Sequence, residues 1–292
     1  RTKLSWLKLK TFLPLILLIL ILSTGAFLRL YKISDYMTFL GDEGRDVLVV
    51  MHMIVNHKFT LLGPTASVGG FFLGPIYYYL MLPFLWLWQL DPTGPAVMVA
   101  VFGIATIYLV YLLGKEFFSE KTGLIAAGLY AVSPLVIAYS RSSWNPNPMP
   151  FFSIMTLLCL YKGLVKKSRW LIFASGVFLG IAMQLHYLAV FLVVIMITYI
   201  ALANVKLLNL KLKIKNYFLL LSGFLLGFSP FLAFQISHGF PNTLTILKFV
   251  FNGGKDTCFV GGCVFNVLED LFFRLFWRLF CSLLRWLASG AI

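Results

Sequence analysis

The segment Phe12-Leu-Pro-Leu-Ile-Leu-Leu-Ile-Leu-Ile-Leu-Ser-Thr-Gly-Ala-Phe-Leu-Arg-Leu30 is apolar over almost its whole length. Roughly 20 such residues in a helix cross the hydrocarbon core of a bilayer, so the segment is predicted to be a transmembrane helix. A signal peptide is the alternative, but the run is long for one and no clean A-x-A cleavage site follows it.

The chain starts at Arg1 and stops abruptly at Ile292. We therefore expect the sequence to be a fragment of a longer protein.

The composition of the whole chain agrees with repeated segments of this kind. Hydrophobic residues make up 60% of the 292 residues and charged residues only 12%, whereas soluble domains are about 25% charged. A transmembrane β-barrel would instead show short segments of alternating hydrophobicity. We predict an all-α fold, a polytopic transmembrane bundle of about seven or eight spans, with further helices lying at the outer face.

The formal net charge of +14 raises the question of nucleic-acid binding. The Lys and Arg residues fall in short patches between apolar segments, which is the pattern of cytoplasmic loops in membrane proteins. Such patches also meet anionic lipid headgroups. The charge therefore predicts membrane lipids as partners and no nucleic acid.

The basic patches also serve as cytoplasmic markers, and two markers must be separated by an even number of crossings. Strong patches begin at Arg1, Lys162 and Lys206, and a weaker one lies at Lys115. Two spans fit between Lys115 and Lys162, and two more between Lys162 and Lys206. Ahead of Lys115, however, there are three apolar runs, at residues 12–30, 71–90 and 95–113. Because three is odd, one of these runs is expected not to cross.

We predict that the run 71–90 is the one that does not cross. It is interrupted by Pro75 and Pro83 and is rich in Tyr and Trp. Broken, aromatic-rich helices suit an interfacial or re-entrant position, provided that protein covers the freed backbone groups. Residues 31–95 then form one long outer loop.

The remaining topology follows from the same counting. A seventh span at 217–234 leads to a further outer loop at 236–262, and the tail 264–287 is expected to lie in the interface. We thus divide the chain into a transmembrane module, 1–235, and a second part, 236–292, the start of a truncated C-terminal region. Cys258 and Cys263 are five residues apart in the later loop; they form a disulfide or remain two free thiols.

The stretch Gly41-Asp-Glu-Gly-Arg-Asp46 holds three of the ten acidic residues of the chain. Carboxylates beside a membrane are costly, so the cluster is a candidate functional site. Asp42 and Glu43 open a predicted helix, and helix capping is the alternative, with Asp42 as the N-cap. Adjacent helical residues point in different directions. We therefore expect one of the two acids to face the site and the other to cap, orient or bind a cation.

Other polar side chains lie in later loops on the same predicted side. Arg141 is predicted to hold a phosphate through its planar guanidinium, and an interfacial Arg reaching headgroups is the alternative. His186, where the chain reverses, either donates to a phosphate or a sugar hydroxyl or is a buried, hydrogen-bonded His. Asn145 and Asn147 either orient sugar hydroxyls or stabilise a turn. Asp42, Arg141 and His186 are expected to face one cavity.

The order of these features resembles the GT-C fold glycosyltransferases, and most of all the dolichyl-phosphate-mannose-protein mannosyltransferases and their bacterial relatives, including the lipid A aminoarabinose transferases. The resemblance covers roughly residues 12–234. It is carried by the D-E pair after the first span and by three segments: GPIYYYLMLPF at 74–84, YLVYLLGKEFFSEKTGLIAAGLYAVSPLVIAYSR at 108–141 and GIAMQLHYLAVFLV at 180–193.

The resemblance implies a membrane enzyme that takes a sugar from a polyprenyl-phosphate donor. It would act at the outer face of the plasma membrane, which is the inner membrane in a bacterium or archaeon. The acceptor is a protein, a lipid or a glycan. The catalytic residues would be Asp42, as the base, and Glu43 beside it. Around them we predict donor-phosphate ligands and sugar or acceptor ligands. The phosphate ligands are Arg141, Arg45 and His186, and the sugar or acceptor ligands are Asn145, Asn147, Tyr187 and Tyr78.

Two departures from the family pattern concern metal use and the phosphate ligands. Family members often have an acidic residue in the second outer loop, where this chain has Ser143-Trp-Asn-Pro-Asn147, and the aminoarabinose branch has a basic residue where this chain has Gly69-Gly-Phe-Phe-Leu-Gly74. These departures leave metal use and the donor-phosphate ligands open, and a divalent metal ion is the one cofactor that the sequence leaves as an alternative to none. If a divalent ion takes part, Asp42 or Glu43 is its expected ligand.

A polytopic transporter or flippase for lipid-linked glycans is the main alternative function. Such proteins place charged residues or broken helices near mid-membrane, often in matching halves. In this chain the polar residues gather at one face, and no internal repeat is seen. The sequence therefore favours the transferase. Asp46 is expected to be structural. For Arg45, the alternative to a phosphate ligand is an ion pair with a neighbouring acid.

Overall fold

A computed structural model of the chain describes residues 2–66, 70–207 and 210–251. In these ranges the regular elements are helical, and extended backbone pairs only at two isolated bridges, Thr38 with Ser142 and Thr65 with Phe72. The prediction of an all-α fold is confirmed. The predicted interfacial tail at 264–287 and the pair Cys258 and Cys263 lie outside the described residues.

The helices follow the predicted apolar runs closely and are numbered in chain order. They are α1 (Thr2–Leu30), α2 (Ile33–Tyr36), α3 (Gly41–Asn56), α4 (Ile76–Leu87), α5 (Thr93–Phe117), α6 (Glu120–Val132), α7 (Pro134–Tyr139), α8 (Met149–Val165), α9 (Arg169–Leu185), α10 (Val190–Leu207), α11 (Leu210–Gly227), α12 (Ser229–Ser237) and α13 (Pro241–Phe251), with a short 3₁₀ helix at Tyr187–Ala189. Helices α1 to α12 belong to one compact unit that ends at Gly239, and α13 belongs to a second.

Two helices of the described chain are long and apolar enough to cross a bilayer by themselves, α1 through Phe12–Leu30 and α5 through Thr93–Phe117. A third crossing exists if Ile214–Gly227 and Ser229–Ser237 count as one span, although the two are bent by 74°. The span predicted at 217–234 corresponds to this bent pair, and that it crosses the membrane stays a prediction. The reason for the bend is Pro230, which lies in the first turn of α12 and has no N–H to continue the hydrogen bonds of α11. The total of seven or eight spans stays a prediction.

Helix α4 is the helical part of the run predicted not to cross. Its 12 residues extend about 18 Å at 1.5 Å per residue, short of the roughly 30 Å hydrocarbon core. Tyr77, Met81 and Leu85 on this helix are completely buried and belong to the largest hydrophobic core. Burial in protein is what a non-spanning helix at membrane depth requires, so the geometry agrees with the prediction without testing it.

Helices α9 and α11 pack through two reciprocal glycine pairs, Gly176 with Gly180 and Gly223 with Gly227. A methyl group on Gly180 would lie 2.6 Å from the Phe224 carbonyl oxygen, and one on Gly227 would similarly meet the α9 backbone. In each helix the two glycines are four residues apart and lie on one face. The two backbones therefore approach as closely as those of membrane helices that associate through small residues.

A buried arginine stabilises the break between α6 and α7. Pro134 has no N–H, so the Tyr130 carbonyl loses its donor within the helix. Arg29, which is completely buried in α1, donates to the Tyr130 carbonyl at 3.2 Å, to the Ala131 carbonyl at 2.9 Å and to Ser140 Oγ at 3.2 Å. Among the described residues Arg29 forms no ion pair. Its charge is thus satisfied by carbonyl and hydroxyl oxygens, and α7 is fixed against the end of α1.

Candidate functional site

A cavity of about 530 Å³ lies where the start of α3 meets the segment that follows α7. Its walls come from the predicted first outer loop and from the end of α7 with the loop that follows it, which are far apart in sequence. The residues that line it are Thr38, Leu40, Gly41, Asp42, Glu43, Ala138, Tyr139, Ser142 and Trp144. The two acids singled out in the sequence therefore share a cavity with the second predicted outer loop.

The start of α3 differs from the prediction in one respect. The helix begins at Gly41 with Leu40 as the N-cap, so Asp42 is not the N-cap. Glu43 is the third residue of the helix, and its Oε2 accepts a hydrogen bond from the Leu40 amide at 3.1 Å. A carboxylate at this position satisfies an N–H that helix geometry leaves without a partner. Because Glu43 caps the helix, the Asp42 side chain is left to face the cavity.

Glu43 also connects the two walls of the cavity. It is 5% exposed, and its Oε1 accepts a hydrogen bond from Ser142 Oγ at 2.8 Å. The bridge between Thr38 and Ser142 and the bond from Tyr77 Oη to the Ser143 carbonyl hold the same loop. Both carboxylate oxygens of Glu43 therefore have partners, which favours the expected capping and orienting role.

Asp42 is the exposed member of the pair. About half of its side chain is accessible (52%), and Oδ1 accepts from Arg45 Nη1 at 3.0 Å. Among the described residues no group donates to its Oδ2. A carboxylate with a free oxygen in a cavity is able to accept a proton from a bound hydroxyl.

Asp46 follows Arg45 on α3 and, unlike Asp42, is completely buried. Its Oδ1 accepts from Arg45 Nε at 2.9 Å and from Tyr78 Oη at 3.2 Å, and Arg45 Nη2 lies 2.8 Å away. Burial raises the pKa of Asp46 from its ordinary 3.8 to about 6, against the opposing effect of the Arg45 charge. Because Asp46 follows Asp42 by one helical turn, the spacing predicts that the two carboxylates share one face of α3.

Arg141 has a structural partner in addition to its predicted ligand role. Its Nη2 donates to the Leu28 carbonyl and, at 3.4 Å, to the Tyr31 carbonyl, at the C-terminal end of α1. The guanidinium also lies over the Tyr36 ring, 5.3 Å from its centroid. Its Nε is buried with no hydrogen-bond partner in the described chain. Arg141 does not line the cavity, so its predicted place beside Asp42 is not seen.

The two predicted amide ligands are engaged within the protein. Asn145 Nδ2 donates to the Leu185 carbonyl at 2.8 Å, and Asn147 Nδ2 donates to the Ser142 carbonyl at 2.8 Å. Neither residue lines the cavity. These contacts support the alternative that the amides stabilise the turn between α7 and α8.

His186 and Tyr187 lie at the reversal between α9 and α10, outside the cavity lining. His186 Nδ1 accepts from the Leu188 amide at 3.2 Å, and Tyr187 Oη donates to the Phe72 carbonyl. Burial lowers the pKa of His186 below its ordinary value, so the ring is neutral at pH 7. It therefore offers hydrogen bonds but no positive charge to a phosphate.

In the described part of the chain no three His, Cys, Asp or Glu side chains come together in a way that suits a metal ion.

The family comparison is more informative. A family model described as dolichyl-phosphate-mannose-protein mannosyltransferase matches residues 74–234, more than half of the chain. The matched region includes α4 to α11 and one wall of the cavity. A search of curated proteins finds no match.

Proposed function

The chain belongs to the dolichyl-phosphate-mannose-protein mannosyltransferase family, and from this premise we propose that it transfers a sugar from a polyprenyl-phosphate donor to an acceptor hydroxyl, with inversion at the anomeric carbon. Membership of the family makes the protein a membrane glycosyltransferase. The observation that supports the finer proposal is the exposed Asp42 carboxylate, which lies in a cavity beside a guanidinium.

Asp42 is proposed as the general base. Its free Oδ2 takes the proton of the acceptor hydroxyl while the hydroxyl oxygen attacks the anomeric carbon from the face opposite the lipid phosphate. The new carbon–oxygen bond forms as the bond to the phosphate oxygen breaks, and the phosphate leaves with the electron pair. A lipid phosphate is a good leaving group, so no general acid is needed, unlike in glycoside hydrolysis.

Arg45 is proposed as the cation that meets the developing phosphate charge. It is 37% exposed and lies within hydrogen-bond distance of Asp42, so base and cation are held next to each other. A fixed guanidinium near the leaving oxygen stabilises charge that appears only in the transition state. Arg141 and His186 are proposed as secondary ligands, reached only if the donor extends beyond the cavity.

The walls of the cavity suit a sugar and its lipid carrier. Tyr139 and Trp144 line the same cavity as Asp42, and Ser142 and Thr38 add hydroxyl groups. Aromatic faces pack against apolar faces of a ligand, while a few polar groups fix its orientation. Tyr78, by contrast, is 3% exposed and bonded to Asp46, so we propose that it supports the site from beneath.

The location of the reaction follows from the pattern of basic patches. We propose that the cavity opens at the outer face of the plasma membrane, because the patches at Lys162 and Lys206 mark the opposite side of the spans. The acceptor is a protein, a lipid or a glycan that reaches this face. The proposed transfer needs no cofactor; a divalent ion, if one takes part, would bind at Asp42.

Reconstitution of the full chain in liposomes tests this function. Labelled polyprenyl-phosphate sugars are supplied with hydroxyl acceptors, and the product and its anomeric configuration are measured by mass spectrometry and NMR. A glycosylated product of inverted configuration is expected. Donor movement across the bilayer without product would instead identify a flippase, and a product of retained configuration would contradict single displacement.

A further inference from the structure

Three charged side chains on one face of α3 form a continuous row from the cavity into the protein. Asp42 is half-exposed, Arg45 is partly exposed and Asp46 is completely buried. Arg45 bonds to Asp42 through Nη1 and to Asp46 through Nε. Among the described residues, the direct link between the exposed acid and the buried acid is the guanidinium that lies between them.

We propose that Asp46 is a positioning residue, which fixes the Arg45 guanidinium against Asp42 so that base and cation face the donor phosphate together. The inference rests on the proposed function, because it assigns Arg45 to the phosphate. It goes beyond that function by giving a role to a residue that does not touch the substrate.

Stability alone does not explain why a carboxylate lies here. A buried ion pair is often no more stabilising than apolar residues of the same volume. Asp46 Oδ1 receives bonds from Arg45 and Tyr78, whereas Oδ2 is buried with no partner in the described chain. All of its bonds are thus made through the one oxygen that holds Arg45. Arg45 donates to this oxygen through Nε at 2.9 Å and also has Nη2 2.8 Å away, so the carboxylate orients the guanidinium while Tyr78 holds the carboxylate.

Without Asp46, Arg45 would keep the exposed pair with Asp42 and a long contact, 3.5 Å from Nη1 to Thr65 Oγ1. A long side chain at a half-exposed position has many rotamers, and exposed contacts of this kind add little to fix one of them. The Asp46 carboxylate is held from the neighbouring helix by the Tyr78 hydroxyl, which fixes the acceptor on which Arg45 rests. Preorganised charge of this kind is what makes an active-site cation effective.

In the described part of the chain, the titratable groups that act on Asp46 come from α3 and α4. Arg45 and Asp42 face it from α3, and the hydroxyls of Tyr77 and Tyr78 face it from α4. Burial raises the pKa of Asp46 to about 6, so the carboxylate is ionised at pH 7.5 and protonated at pH 5. Acidification should therefore weaken the hold on Arg45 while the fold persists.

A double-mutant cycle on the reconstituted chain tests the proposal. Asp46→Asn, Arg45→Gln and the double variant are compared with Asp35→Asn, which removes an acid from an exposed position on α2. Asp46→Asn is expected to lower kcat/KM about tenfold or more, mainly through KM for the polyprenyl-phosphate donor. Because Asp46 acts through Arg45, the double variant should be no slower than Arg45→Gln alone.

Two results would overturn the positioning role: losses that multiply in the double variant, or an Asp46→Asn enzyme that matches Asp35→Asn. If Asp46→Asn does not fold, Tyr78→Phe replaces it, since this change removes one donor to Oδ1; its loss should also vanish in the Arg45→Gln background. Failure of the proposed function is recognised separately, because it appears as full turnover in Asp42→Asn.

Discussion

The bond between Glu43 and Ser142 is predicted to hold the two walls of the cavity together, although the residues are 99 positions apart. Hydrogen bonds to a charged group contribute about 1.5–3 kcal/mol each. Ser142→Ala removes one such bond and leaves Glu43 Oε1 buried without a donor. We expect it to lower the free energy of unfolding by about 2 kcal/mol. Glu43→Ala also removes the cap on Leu40, for which about 1 kcal/mol more is expected.

A double-mutant cycle isolates the bond itself. The free energy of unfolding is measured for both single variants and for the double variant by SDS titration in mixed micelles. The double variant should lose less stability than the sum of the two single losses, by about 1.5 kcal/mol or more, since the second substitution has no bond left to break. Ser34→Ala removes a hydroxyl from an exposed bond to Asp35 and should change stability by less than about 0.5 kcal/mol. Additivity within about 0.5 kcal/mol would refute the reasoning.

Three further predictions concern packing, the buried charge and pH. Gly180→Ala should destabilise by about 1–3 kcal/mol in thermal unfolding, since its methyl meets backbone on α11, while Gly128→Ala, which meets no atom closer than 3.9 Å, should be neutral or stabilising. Arg29→Met should lower the free energy of unfolding by about 2 kcal/mol, because the Tyr130 carbonyl loses its donor. The yield of folded protein should fall with it, and unchanged stability would contradict this. Because burial raises the pKa of Asp46 to about 6, the contribution of this carboxyl to stability is greatest below about pH 4 and falls by about 3 kcal/mol as the pH rises through about 6. This part of the pH dependence should be absent in Asp46→Asn.

The helices were largely predictable, because apolar length, proline positions and basic patches are local features. The run at 12–30 became α1, and the broken run at 71–90 became the short α4. The bend at the start of α12 was missed although Pro230 was visible. Whether a proline kinks a span or only begins a new helix depends on the neighbours of the freed carbonyls. Here Gln184 Nε2 donates to the Gly227 carbonyl at 2.6 Å, a contact from another helix.

The candidate site was predictable in its acids and not in its supports. Scarcity of carboxylates in an apolar chain pointed to Asp42 and Glu43. The burial of Asp46 depends on Tyr78 from another helix. The role of Arg29 depends on a helix break a hundred residues later. Such contacts are set by tertiary packing, which spacing within one segment does not reveal.

Transfer by Asp42→Asn, compared with wild type and with Asp35→Asn in the same liposomes, tests the central claim most directly. The amide keeps the size of the side chain but is unable to take the proton of an acceptor hydroxyl. Product formation from a labelled polyprenyl-phosphate sugar should fall by at least about 10²-fold, while Asp35→Asn keeps the wild-type rate and both variants elute as folded protein. Turnover by Asp42→Asn at a rate close to that of wild type would contradict the assignment of Asp42 as the base.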